Sequence, residues 1–369
     1  MTKSRAAVYA ILAAGFALLS TPTSARAAAF VVNPGESIQA AIDGAADGDV
    51  IKVMPGDYTE THGGPDAILV TKRLKLIARN SSLGNVRILP GPGNLNGIVV
   101  RGAEGALVER VLIKGFIVEG FTNHGIWLEY ANKFKIKNNT SANNLHNGIF
   151  PTLSANGLVK NNVSFGALDA GLWVEASENV RVINNEVHTN PTGIELTVSR
   201  NVLVKGNDIY NNVVGLGLYH PNGASLPPLG DDGDWDIIGN DIHDNNLPNP
   251  VVGGLVGQLP SGIGALVIGV DRVTMLKNTI TGNDFTGISV VNWCDFNDCV
   301  ADPPVVDQRS DNNSFIRNTV TGNGLNPDPD FPFSFLASDV VVFAPGSTGN
   351  CFSDNVTNVT IPTPLSPEC

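Results

Sequence analysis

Residues 168–219 read LDAGLWVEASENVRVINNEVHTNPTGIELTVSRNVLVKGNDIYNNVVGLGLY, and the stretch repeats one pattern. A glycine opens a short apolar alternation at Gly171, Gly193 and Gly215, with spacings of 22 and 22. The same glycine stands upstream at Gly97, Gly125 and Gly148, with spacings of 28, 23 and 23 leading to Gly171. Asparagines keep that beat at Asn139, Asn162, Asn185 and Asn207. A fixed period near 22 with alternating apolar residues predicts a solenoid of short strands. The fold class is therefore all-β, and function is to be sought on the outside of a long coil.

The alternation assigns faces. In GIWLEY, Ile126 and Leu128 point inward while Trp127 and Glu129 point outward. In GLWVEAS the inward pair is Leu172 and Val174, and the outward pair is Trp173 and Glu175. In GIELTVS, Ile194 and Leu196 face in, Glu195 and Thr197 out. A second strand follows in each coil, as in NVRVIN, NVLVKGN and WDIIGN. Coils are expected to stack at about 4.8 Å, the spacing of hydrogen-bonded strands. The asparagine column continues through Asn240, Asn278 and Asn318, and Asn144, Asn190, Asn212, Asn245, Asn283 and Asn323 form a second column. Stacked amides donate and accept between coils, and asparagine tolerates the left-handed backbone of a tight corner. Both columns are read as structural.

The first residues read differently. Lys3 and Arg5 precede an apolar run from Ala6 to Leu19, and Ala25-Arg26-Ala27 offers a small-x-small cleavage site. Residues 1–27 are expected to be a secretory leader, which places the protein in the periplasm or outside the cell. No later run is long enough to span a bilayer. Losing Lys3, Arg5 and Arg26 with the leader takes the formal charge from −12 to −15. That balance argues against nucleic acid as a partner. It disfavours an acidic polymer too, unless cations or local basic residues mediate contact. Four cysteines in an exported chain imply two disulfides. Pairing by neighbourhood, one of three possibilities, joins Cys294 to Cys299 and Cys351 to Cys369.

Residues 28–60 are expected to hold a cap helix and the first strand. Ser37 is placed to cap a helix running through Ala45 with Ile38, Ala41 and Ile42 on one face, and Pro55-Gly56-Asp57 makes a turn after the strand. A solenoid exposes raw core at its ends and needs such a cap. This SIQAAI segment, followed by GDVI and PGDY, resembles the N-terminal cap of right-handed parallel β-helix proteins of the pectate-lyase-like superfamily. The resemblance implies a single right-handed parallel β-helix over 61–369. Its coils lengthen after Gly215, through insertions at 219–234, 246–261, 292–310 and 324–337. Long insertions on a repeat scaffold shape a binding surface or protect a sheet edge.

Stacking the coils puts Trp127, Phe150 and Trp173 in one outward column, with Glu195 and Gly217 after them. The neighbouring column reads Glu129, Thr152, Glu175, Thr197, Tyr219. Aromatic faces beside carboxylates suit the apolar faces and hydroxyls of a sugar polymer; the plainer reading is that a loop folds over them as a second core. With Tyr219 and His220, the aromatics form the candidate substrate platform. His124, His146 and Asp169 fall on successive coils at its edge, where a histidine and a carboxylate can exchange protons. Glu175 and Glu195 are offset by two residues on adjacent coils, roughly 8 Å apart, within the range of an inverting glycosidase pair. Asp231, Asp232, Asp234 and Asp236 in DDGDWD supply oxygen ligands for a Ca²⁺ ion or simply a solvated acidic turn.

Residues 168–187, 193–212 and 261–291 are similar to a family of exported bacterial β-helix repeat proteins, which share the Asp-Ala-Gly and Gly-Ile-Glu signatures found at Asp169–Gly171 and Gly193–Glu195. That resemblance implies a fold but no defined reaction. The sets that better-known β-helix enzymes use are missing. The Asp-Pro-His of alginate epimerases is absent, and only Asp231-Asp232 matches the polygalacturonase series. Arg181 and Arg200 do not reach the platform as the base of a pectate lyase would. Two classes of function stay open: a protein that binds or processes a polysaccharide, as a lyase or hydrolase, and a non-catalytic periplasmic scaffold.

Overall fold

A computed structural model describes residues 27–80, 82, 84–219, 233–295, 299–300, 307–365 and 367–369. The expected leader, His220, Asp231 and Asp232 thus lie outside the described residues, Ala27 excepted. Strands stack in parallel as three walls of a right-handed β-helix. The first wall has twelve strands, from Ala29–Val32 to Cys351–Ser353; the second has eleven, from Gly56–Thr59 to Val356–Thr357; the third has eleven, from Asp66–Val70 to Thr360–Ile361, all among the described residues. Each coil lends one strand to each wall. The register places like on like: Ile126 beside Ile149, Leu172 beside Ile194, Leu196 beside Leu218. Inward residues such as Leu172, Val174, Val182 and Val187 are fully buried, and each such side chain stabilises the stack by roughly 1.5–3 kcal/mol.

The corners explain the polar residues of the repeat. Asn139, Asn162, Asn185, Asn207, Asn240, Asn278 and Asn318 each pass a side-chain amide N–H to the carbonyl of the next, at 2.9–3.1 Å, and the column ends on Asn355. The second column is interrupted at Ala167, whose backbone N–H donates to Asn190, and it closes on Asp339. The left-handed residue is not the ladder asparagine but the one before it. Asn138, Asn161 and Asn184 have φ of 55°, 54° and 52°. The ladder amide must point along the stack, so its neighbour takes the turn. The leading glycines answer to crowding: a Cβ on Gly148 would lie 2.0 Å from Ser164 Oγ and 2.4 Å from the Gly171 carbonyl.

Both ends are closed. The helix Ile38–Gly44 is capped by Ser37, whose hydroxyl accepts from the Ala40 N–H at 3.0 Å. Glu60 accepts from the Ile38 N–H at 2.7 Å, and Ile38 and Ile42 are buried in the core. The helix does not precede the first strand, as expected from sequence. Ala29–Val32 comes before it and pairs with Val50–Val53, so the first wall begins one strand earlier. At the other end the Cys351–Cys369 disulfide holds the tail, and the Phe352 N–H donates to the Pro367 carbonyl. Cys294 pairs with Cys299. No helix among the described residues is long and apolar enough to cross a membrane.

Two of the insertions, 246–261 and 324–337, lie against the third wall. A second apolar cluster forms outside it from Ile263, Leu266, Ile268, Phe285, Val291 and Trp293, covered by Leu255, Val256 and Leu259 of one insertion and by Phe331 and Leu336 of another. The roof reaches the later coils of the wall and stops at the middle.

Candidate functional site

The third wall brings the outward aromatics into one column. Trp127 pairs with Phe150, Trp173 with Glu195, Glu195 with Gly217, and Gly217 with Leu266. Phe150 and Trp173 are stacked, ring centroids 4.7 Å apart. The Arg101 guanidinium lies over Trp127 at 4.8 Å and pairs with Asp66 and Glu129 at 2.6 and 3.4 Å. His124 is buried against Trp127 and Phe150, 5.1 Å from each ring. Burial, with a further push from His146, lowers its pKa to about 3, so it is neutral at ordinary pH. Trp127 and Trp173 stay half-buried on one face, with the buried Phe150 between them.

Below Trp173 the wall turns acidic. Asp169, Glu175, Glu195, Thr197 and Tyr219 line a recess of about 270 Å³, with Trp293, Val251 and residues 253–256 forming its far side. Trp173 Nε1 donates to Thr197 Oγ1 at 2.8 Å, which fixes the indole at the rim. Thr152 Oγ1 donates to Glu175 at 3.1 Å. His146 Nε2 lies 3.7 Å from an Asp169 oxygen at the entrance. Glu195 and Thr197 point outward from their strand, yet they are only 7% and 2% exposed because the roof begins above them.

This partial cover sets the electrostatics. Desolvation raises Glu175 to about 7, Asp169 adds to the rise, and the Thr152 hydroxyl opposes it. Burial holds Glu195 well above the usual carboxylate range, with the charges of Asp169 and Glu175 reinforcing it. Asp169 is raised by burial, against the pull of His146 and an Asn147 hydrogen bond. Tyr219 is raised far above its ordinary value by burial and then by Glu195. Three carboxylates thus share one recess, all raised by burial, with Glu175 brought to about 7. Such a set is equipped to give and take protons.

Sequence reasoning named Asp169, Glu175, Glu195, Trp173 and Tyr219, which meet here, and His124, His146, Trp127 and Phe150, which run up the wall from it. It missed Arg101, Trp293 and the 251–256 segment. Their positions depend on loop paths and on a salt bridge that no period encodes. Asp234 and Asp236 do not gather with each other around a common point. Asp234 bonds Arg272 at 3.0 Å, and Asp236 projects from the first wall into solvent. The acidic group that does converge is on the second wall, where Asp208, Asp241 and His243 approach one another. There both ring nitrogens of His243 face carboxylates, Asp208 at 3.1 Å and Asp244 at 2.9 Å. The second wall also carries an outward ring stack that sequence reading did not pick out, Phe165, His188, Tyr210 and His243, with centroids 5.0, 4.9 and 5.4 Å apart.

The right handed beta helix region family model matches residues 68–226. No curated protein matches the chain. Among solved structures, the A-module of the mannuronan C-5 epimerase AlgE6 from Azotobacter vinelandii superposes with a TM-score of 0.61 at 16% identity, covering 90% of this chain and 92% of that one. A periplasmic alginate epimerase, AlgG, gives 0.55 at 15% identity over 84% and 70%. The Dettilon tailspike protein gives 0.61 at 14% identity over 90% of this chain and 60% of its own. At such identities the likeness carries the fold alone: this chain folds as a right-handed parallel β-helix.

Proposed function

We propose that the third wall binds a linear, neutral polysaccharide and hydrolyses it in the recess formed by Asp169, Glu175 and Glu195. The observation that carries this is the run of Trp127, Phe150 and Trp173 leading directly into three neighbouring carboxylates in one recess. Sugar rings lie on aromatic faces through their C–H groups, and an oxygen between two sugars would then reach the recess. Structures of the same fold act on polysaccharides by their names, as mannuronan and alginate epimerases do. The substrate class differs here. Residues 219–261 contain no Lys or Arg, and among the described residues no cation lines the recess. An acidic sugar would meet only carboxylates there.

In the proposed mechanism Glu195, its carboxyl raised well above the usual range by burial, gives its proton to the departing oxygen. Glu175, ionising near neutrality, takes a proton from the attacking water. Their offset of one coil and two residues, roughly 8 Å, leaves room for that water, as in inverting enzymes. The Asp169 carboxylate, with His146 beside it at the recess's entrance, stabilises the developing positive charge on the sugar. The test is reducing-end release from a panel of neutral glycans, with Glu175→Gln and Trp173→Ala alongside. Glu175→Gln is expected to lower kcat by about a hundredfold or more with KM kept. Trp173→Ala is expected chiefly to raise KM. An unsaturated product absorbing in the ultraviolet would mean elimination instead. Binding that depends on Trp173 without turnover would leave a binder, and no binding by any glycan would leave the scaffold.

A further inference from the structure

We propose that the first wall is a separate binding face for a linear acidic polysaccharide. Coil stacking aligns its outward residues in two columns. One carries Lys52, Lys114, Lys137, Lys160 and Lys205, with Ile77 and Ile183 between. The other carries Lys75, Lys135 and Arg181, alternating with Leu112, Leu158 and Leu203. Every one of these seven coils therefore presents at least one cation, over roughly 29 Å at about 4.8 Å per coil. The strands that carry them, from Val50–Val53 to Arg200–Lys205, contain no Asp or Glu. Among the described residues none of these eight cations pairs with a carboxylate. Arg110 and Lys133 join Lys75 and Lys135 around a shallow groove of about 460 Å³ on the same wall.

A chain whose formal charge is −12 has no structural need to gather unpaired lysines in a line. Their mutual repulsion costs stability unless an anion relieves it. The occupant is read from the arrangement. The cations run along the coil axis in two adjacent columns at a pitch close to the length of one extended sugar, so a polymer with one carboxylate per sugar meets at least one cation at every coil. An anionic membrane fits less well, because the aliphatic residues between the lysines are half-buried under the lysine stems and nothing apolar stands out to insert. A wide polyanion would also overlap Glu186, Asp208 and Asp241 on the adjoining second wall, whereas a narrow chain stays within the basic strip.

The proposal is independent of catalysis on the third wall and is tested separately from it. Titration of the full chain with a linear oligogalacturonate is expected to show binding at low salt that weakens steeply as NaCl is raised. Replacing three neighbours together, Lys114→Gln, Lys137→Gln and Lys160→Gln, is expected to weaken it by about tenfold or more and to flatten the salt dependence. The matching triple Lys→Arg variant is expected to bind as the wild type does, and a thermal melt of each variant checks its fold. Trp173→Ala and Glu175→Gln are expected to leave this affinity unchanged. A wild-type affinity in the triple Gln variant overturns the proposal, as does a loss with Trp173→Ala, which would put the polymer on the third wall. Capture by vesicles containing phosphatidylglycerol, with no binding of the oligogalacturonate, overturns it in favour of a lipid surface.

Discussion

The third wall is two surfaces in one register. From Trp127 to Trp173 its outward column is aromatic, with two half-buried indoles and Phe150 buried between them; from Leu266 to Val341 it is roofed by insertions and apolar except for Ser289. The same backbone position is a platform in one half and a second core in the other. What differs is only whether a corner above it has grown a loop. Glu195 stands at the seam. There the cover is enough to strip water from carboxylates but leaves a recess open beside them, and that is where acids are raised without being sealed off.

This contrast is broken most decisively in the roofed half. Phe285 is 6% exposed and meets Phe331 edge-on at 5.3 Å, so Phe285→Ala should cost about 3–5 kcal/mol and lower the melting temperature clearly. A neutral result would mean that the insertions rest on the wall without holding it. Next in size is a pH effect at the seam. Glu175 is raised from 4.5 to about 7, so its uncharged form is the one the fold favours. The associated stability is complete below about 4.5 and is lost as pH rises through 7. Glu175→Gln should therefore match the wild type at low pH and exceed it above neutrality, by on the order of 1–3 kcal/mol, in melts run across that range. Equal pH dependence in both proteins would show that Glu175 is not desolvated.

In the open half, Trp173→Ala should weaken glycan binding about tenfold while lowering stability by under about 2 kcal/mol, measured by calorimetry and a denaturant titration. A large stability loss with no change in binding would make the aromatic column part of the core after all. The smallest effect is expected outside the roof. Phe335 is 73% exposed at the end of the ring series from Phe331 through Phe333, and Phe335→Ser should stay within about 0.5 kcal/mol of wild type.

The winding was legible because its signals are periodic. Gly125, Gly148 and Gly171 mark where a backbone crosses close above another, and the ladder asparagines mark the corner that follows. Periodicity also carried the column of Trp127, Phe150 and Trp173, since residues 23 apart become neighbours. The roof was not legible. Leu255, Val256 and Phe331 have no beat, and their path is chosen by which apolar surface remains uncovered. For that reason Glu195 and Thr197, outward by pattern, were not recognisable as buried. The ring stack of Phe165, His188 and Tyr210 and the lysine column of Lys114, Lys137 and Lys160 were present at the same spacings. They carry no tryptophan or glycine to mark them out, and a net negative charge says nothing about where the positive residues are placed.

The ladder of side-chain amides passes through segments of 23, 22, 33, 38 and 40 residues with no change in bond length beyond 0.2 Å. Stacking is therefore indifferent to how much chain is spent between one asparagine and the next. An excursion from any rung can be lengthened, shortened or exchanged while its neighbours keep their places. The molecule behaves as a rack whose shelves are fixed and whose fittings are removable, and a new recess could be installed two rungs along by moving a loop rather than redesigning a fold.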